Sequence, residues 1–139
     1  MNQLSEHYLE DFAVGQTFGS GRLRIDEERT LAFAAEFDPQ PFHLDEAAAR
    51  RSTFGGLTAS GWHTAAVTMR LLVESELNPA GGLIGAGFDE CRWPRPVRHG
   101  DGLRIEQDFS RAHSLSRDLG DMDTRRQRVM ERGRAQKAS

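Results

Sequence analysis

The sequence predicts a single α+β domain, and three observations predict it. Apolar residues recur at three and four residues from Trp62 to Leu77, which marks one long helix. Two segments with alternating apolar positions, residues 17–25 and 103–109, read as strands on either side of that helix in the chain. The length, 139 residues with 37% hydrophobic content, fits one domain able to bury a core.

Each element has its own warrant. In residues 17–25, Phe18, Leu23 and Ile25 alternate partly, and Gly19 and Gly21 mark an irregularity within the strand. Asp26 precedes Glu27 and Glu28, an N-cap followed by acids at the positive end of a helix. Leu31, Phe33, Ala34 and Ala35 give that helix its apolar face to about Phe37, where Pro39 and Pro41 forbid continuation. A second short helix is expected from Asp45 through Arg51, followed by a turn at residues 54–57. The long helix starts at Ser60, is expected to be nearly fully buried, and ends at the Asn78-Pro79-Ala80-Gly81-Gly82 break. Residues 83–93 read as a strand. A further strand follows the turn at residues 99–102, with Leu103, Ile105 and Phe109 sharing one parity and Gln107 as an odd polar inward position.

Beyond Ser110 the pattern collapses. Residues 111–139 have few large apolar side chains, and residues 121–134 read as a solvated, arginine-rich helix or as disordered chain. The expected division is a domain over residues 1–110 and an arginine-rich tail over 111–139.

Charge and composition narrow the function. Residues 1–110 carry 10 arginines, no lysine and 17 acids, while the tail is net positive. An acidic body argues against nucleic acid as a partner, because phosphate neutralisation needs a basic face. The single cysteine, Cys91, excludes a disulfide framework and a cysteine-based zinc cluster. No run approaches the roughly 18 apolar residues of a membrane span, and no basic-then-apolar leader pattern opens the chain. A soluble cytoplasmic protein without membrane partners is expected. No histidine pair has metal-ligand spacing, so no metal is expected.

Three segments carry candidate chemistry. Asp38-Pro39-Gln40-Pro41-Phe42-His43 sets a carboxylate and an imidazole five residues apart across two prolines. The prolines favour an extended or turned loop, and a rigid loop holding an acid and a base suits proton transfer. The plainer reading makes Asp38 a cap and His43 a satisfied core or surface group. Gly55-Gly56-Leu57-Thr58-Ala59-Ser60-Gly61 opens the long helix, where unpaired N–H groups at the positive dipole end favour an anion or a developing oxyanion. Its plainer reading is an N-cap at Ser60. Trp93-Pro94-Arg95-Pro96-Val97-Arg98-His99-Gly100-Asp101 offers arginines to phosphates, or simply a proline-rich corner. His63, one turn into the long helix, suits a core or a pocket. A Ser60–His43–Asp38 hydrolase triad lacks the Gly-x-Ser-x-Gly elbow that would support it.

Together these three segments resemble the MaoC-like dehydratases, the (R)-specific enoyl-CoA hydratases, over residues 8–110. The family signature Asp-x-Asn-Pro-x-His is matched from Asp38 to His43, except that Gln40 stands in the Asn place. The resemblance implies the hot-dog fold, a curved antiparallel sheet wrapped around a long central helix, here with an atypical, incomplete carboxyl-terminal part. It implies a hydro-lyase of acyl-CoA and fatty acid metabolism that hydrates a trans-2-enoyl-CoA to a (3R)-hydroxyacyl-CoA, or runs the reverse. Asp38 and His43 would be the catalytic pair, and Ser60, Gly61, Gly55 and Gly56 the substrate-binding groups around the oxyanion. Coenzyme A enters as part of the substrate, held by surface arginines such as Arg95 and Arg98, with no other cofactor. A homodimer is implied. The alternatives are a non-catalytic acyl-CoA-binding or dimer-partner protein and, less favoured, a hot-dog thioesterase. The thioesterase reading suffers because the long helix has no acid before Glu74.

Overall fold

A computed structural model describes residues 6–83, 88, 90–109 and 127–131, the last five as backbone. The order of elements is β1 (Thr17–Gly19), β2 (Leu23–Arg24), α1 (Glu27–Phe37), α2 (Pro41–Leu44), α3 (Glu46–Arg51), α4 (Gly61–Val73), β3 (Gly102–Asp108) and β4 (Gln127–Glu131). This is an α+β chain, as the pattern predicts.

The sheet is antiparallel, with β3 pairing with each of the other three strands. Strands β1 and β2 lie in succession along β3, with Gly19 opposite Glu106 and Leu23 opposite Leu103. Residues 20–22 therefore face only two residues of β3, so the glycine-marked irregularity is a β-bulge. Ser20 satisfies the bulge: its N–H donates to the Ile105 carbonyl and its hydroxyl accepts from the Ile105 N–H.

Helix α1 starts where Asp26 accepts from the Arg29 N–H, and α3 starts where Asp45 accepts from the Ala47 and Ala48 N–H groups. Asp26 is the expected N-cap, whereas Asp45, expected as the first helical residue, caps α3 from outside it. Helix α4 packs on β3, and Val67, Leu71 and Leu72 join Ile25, Leu77, Val97, Leu103 and Ile105 in the core. On β3, Leu103, Ile105 and Gln107 are buried, and Phe109 beyond its end is too, so the inward parity includes the polar Gln107.

Five expectations change. The Pro39–Pro41 segment is not extended throughout: Pro41 opens the short helix α2, because the first helical position needs no N–H donor. Helix α4 ends at Val73, with Glu74 as its C-cap, rather than near Leu77. It is also not nearly fully buried, since Trp62, Met69 and Val73 are 57%, 43% and 55% exposed. A three-four period reveals apolar faces, but not whether the chain itself covers each one. Within the segment read as a strand over 83–93, residues 84–87 and 89 lie outside the described residues, and the described remainder forms none. Finally, residues 127–131 of the tail form β4, paired with β3 from Leu103↔Glu131 to Gln107↔Gln127. Strand formation there follows from an available neighbouring edge, which outweighs weak local β-propensity. The rest of residues 111–139 lies outside the described residues.

Candidate active site

The site forms where the end of α1, the helix α2 and the start of α4 meet. Asp38 caps α1, with its N–H donating to the Ala34 carbonyl at 2.9 Å. Two residues on, Gln40 caps α2, whose single turn carries His43 inward to 6% exposure. The turn at residues 52–57 then leads through buried Thr58 and Ala59 to Ser60, the fully buried N-cap of α4.

These elements bring Asp38, His43 and Ser60 together. Asp38 Oδ2 lies 3.3 Å from His43 Nε2 and accepts a 2.7 Å hydrogen bond from the Ser60 hydroxyl. The same hydroxyl accepts from the Trp62 N–H at 3.2 Å, so one side chain caps the helix and ties it to the carboxylate. Gln40 Nε2 donates to Asp38 Oδ1 at 2.6 Å. The extra methylene that distinguishes Gln40 from asparagine thus still delivers an amide donor to the carboxylate.

Electrostatics follow from these partners. The Gln40 amide and the Ser60 hydroxyl hold the Asp38 carboxyl below its ordinary value, with a smaller contribution from His43; partial burial opposes them. On the other side of the imidazole, His43 Nδ1 lies 2.8 Å from the Thr58 carbonyl oxygen. A carbonyl only accepts, so Nδ1 carries a proton, and Nε2 is the ring nitrogen that faces Asp38.

Gly61 lies beneath the Trp93 indole. A Cβ at that position would meet indole carbons at 2.8 and 2.9 Å. As the first residue of α4, its N–H has no intrahelical acceptor. The other two glycines sit elsewhere in the loop. Gly55 takes the turn with φ +66°, and Gly56 seats against the Arg98 guanidinium, with Nη1 2.7 Å from where a Cβ would stand. Arg98 itself donates to the Leu57 carbonyl at 3.3 Å and to the Phe54 carbonyl. Its guanidinium is therefore committed to the loop, against the expectation that it meets coenzyme A phosphates. Arg95 is exposed.

The sequence reading missed Thr58 and this use of Arg98. Thr58 meets His43 Nδ1 with its carbonyl at 2.8 Å and its hydroxyl at 3.3 Å, but a threonine in a loop does not by itself signal that role. The proline-rich corner was the only available hint of Arg98.

His63 stacks on Phe33 at 5.0 Å and lines a separate cleft of about 170 Å³ with Ile25, Arg29, Val67 and Arg70. Burial pushes its imidazole below the usual histidine range. Among the described residues, no three His, Cys, Asp or Glu side chains gather as metal ligands, and no helix is long and apolar enough to cross a membrane.

The helix-on-sheet architecture has close structural counterparts. The MaoC-like dehydratase from Rhodospirillum rubrum is 50% identical, with a TM-score of 0.76 over 90% of this chain and 93% of that one. The (R)-hydratase from A. caviae is 26% identical, with a TM-score of 0.61 over 75% and 76% of the two chains. The fold is the hot-dog fold. The uncharacterized protein YdeM of Bacillus subtilis is 33% identical over 95 residues, 68% of this chain and 67% of that protein. The MaoC-like domain family matches residues 11–128, and the chain belongs to it.

Proposed function

We propose that this protein adds water to a trans-2-enoyl-CoA to give a (3R)-hydroxyacyl-CoA, or catalyses the reverse dehydration. The observation that carries the reading is the 3.3 Å pairing of Asp38 and His43 beside the start of α4. Family membership supports hydratase chemistry at a coarser level.

In the hydration direction, the Asp38/His43 pair holds a water molecule between them and the substrate. One O–H bond of that water breaks as its oxygen bonds to C3, and a proton is delivered to C2 through the pair. The two groups act as one coupled unit. With Nδ1–H anchored on Thr58, Nε2 is the imidazole nitrogen that exchanges protons. As C2 gains its proton, charge moves off the thioester oxygen. In the hydration transition state, that oxygen has enolate character and sits at the N–H groups of Ser60 and Gly61, at the positive end of the α4 dipole. Gly55 and Gly56 serve the binding site by shaping the loop that leads there. Coenzyme A belongs to the substrate, and the chain acts as a homodimer.

Loss of crotonyl-CoA absorbance tests the assignment. Asp38→Asn and His43→Ala should each lower kcat by about 10²- to 10⁴-fold. Full activity in both variants overturns the roles. Calorimetric binding of acyl-CoA with no turnover by the wild type favours an acyl-binding protein instead. Thiol release would point to a thioesterase, a reading weakened by the lack of an acid in α4.

A further inference from the structure

We propose that Arg98 is a positioning residue for His43, helping to set which imidazole nitrogen carries the proton. This inference rests on the Asp38/His43 reading above and assigns one of its supports. The guanidinium reaches across more than 40 residues of sequence to the carbonyls of Phe54 and Leu57. The next carbonyl in the chain, that of Thr58, receives His43 Nδ1–H at 2.8 Å. The Leu57 carbonyl lies in the peptide just before the one that carries the Thr58 carbonyl, and the N–H of that second peptide, from Ala59, donates to the Val97 carbonyl, so residues 97 and 98 together hold the two peptides that aim the acceptor at His43.

The clamp is anchored at both ends. At its base, the Arg98 N–H donates to Asp101 Oδ2 at 2.9 Å. The same corner joins the end of β2 through Gly100 N–H to Ile25 O at 2.7 Å and Ile25 N–H to Asp101 O at 2.8 Å. The adjacent Val97 carbonyl accepts from the Ala59 N–H at 2.8 Å, so residues 97 and 98 grip the loop by backbone and side chain together. From the opposite side, Glu46 Oε2 accepts from the Leu57 N–H at 3.2 Å, while Arg50 holds Glu46 at 3.0 Å. The Leu57 residue thus gives its N–H to a carboxylate and its carbonyl to a guanidinium.

Two residue choices fit this role. A guanidinium offers separated donors in a fixed plane and can satisfy two carbonyls three residues apart, whereas a lysine ammonium is a compact point donor. Gly56 leaves the space that the guanidinium fills, since a Cβ would stand 2.7 Å from Nη1.

The test reads the tautomer directly. Long-range ¹H–¹⁵N spectra of the full chain, across a pH series that includes the neutral imidazole, would be recorded for wild type, Arg98→Lys, Arg98→Gln and Gly56→Ala. Crotonyl-CoA hydration and thermal melting would be followed in parallel. The wild type should show the Nδ1–H form of His43. Arg98→Gln and Gly56→Ala should show a mixture, with kcat down about 10- to 100-fold and KM little changed; Arg98→Lys should fall between. A wild type in the Nε2–H form, or folded Arg98→Gln and Gly56→Ala variants that keep the pure wild-type tautomer, overturns the proposal. Should Arg98→Gln fail to fold, Gly56→Ala and Arg98→Lys decide by the same criterion. A tautomer that shifts as expected in a protein that hydrates nothing would uphold the role of Arg98 and defeat the hydratase reading.

Discussion

Asp38 concentrates three partners on two oxygens, and its charge state follows from them. Gln40 donates to Oδ1; Ser60 donates to Oδ2, which also faces His43. These partners favour the carboxylate over the acid, so the folded-state pKa lies below the ordinary value of about 3.9. The unfolded chain therefore takes up a proton at this group more readily than the folded one. Its stabilising contribution is complete above about pH 4 and is lost as pH falls through the lower folded value. Melting temperature followed from neutral pH down through pH 4 should fall less steeply for Asp38→Asn than for wild type. Equal slopes would mean that these hydrogen bonds do not hold in solution. The amide of Gln40 matters here because it is the largest of the causes.

At the scale of elements, the bulge between β1 and β2 makes the most local prediction. Ser20 supplies the acceptor that the Ile105 N–H takes at 2.9 Å. Ser20→Ala leaves that partly buried donor unsatisfied and should cost about 1–2 kcal/mol in urea unfolding. An unchanged midpoint would show that the hydroxyl contributes nothing there. The bulge was legible because Gly19 and Gly21 interrupt an alternating run. The starts of α1 and α3 were legible because Asp26 and Asp45 cap them through local hydrogen bonds, and β3 because its parity is intrinsic to the strand. Local signals misled at Pro41, where a residue that ends one helix also suits the first position of another. They were silent at β4, whose pairing depends on an edge contributed by β3. The site divided in the same way. The proline-flanked spacing of Asp38 and His43 pointed to a pair, whereas Thr58 and Arg98 reach His43 only through loop geometry.

At the scale of the whole molecule, the exposed side of α4 is the feature that a solitary chain leaves unexplained. Trp62, Met69 and Val73 lie seven and then four residues apart, which sets them along one face of the helix. All three are exposed, and Trp62 meets the Trp93 indole at 5.5 Å, edge to face, extending the apolar stripe onto the proline-rich corner. The core-facing residues of α4 include Val67, Leu71 and Leu72, so this stripe is a second apolar face and not the margin of the first. Contiguous apolar surface on a folded chain commonly marks an association site, and a second copy of this chain is the occupant expected for the proposed homodimer. Sedimentation of the wild type should report twice the 15.5 kDa chain mass. Trp62→Glu and Met69→Asp place charge within the face without touching Asp38 or His43, and each should shift the species toward the monomer while leaving the melting transition cooperative. A wild type that sediments as a monomer at tens of micromolar would remove the homodimer. A dimer untouched by both variants would move its interface off α4 and onto another surface, such as a sheet edge.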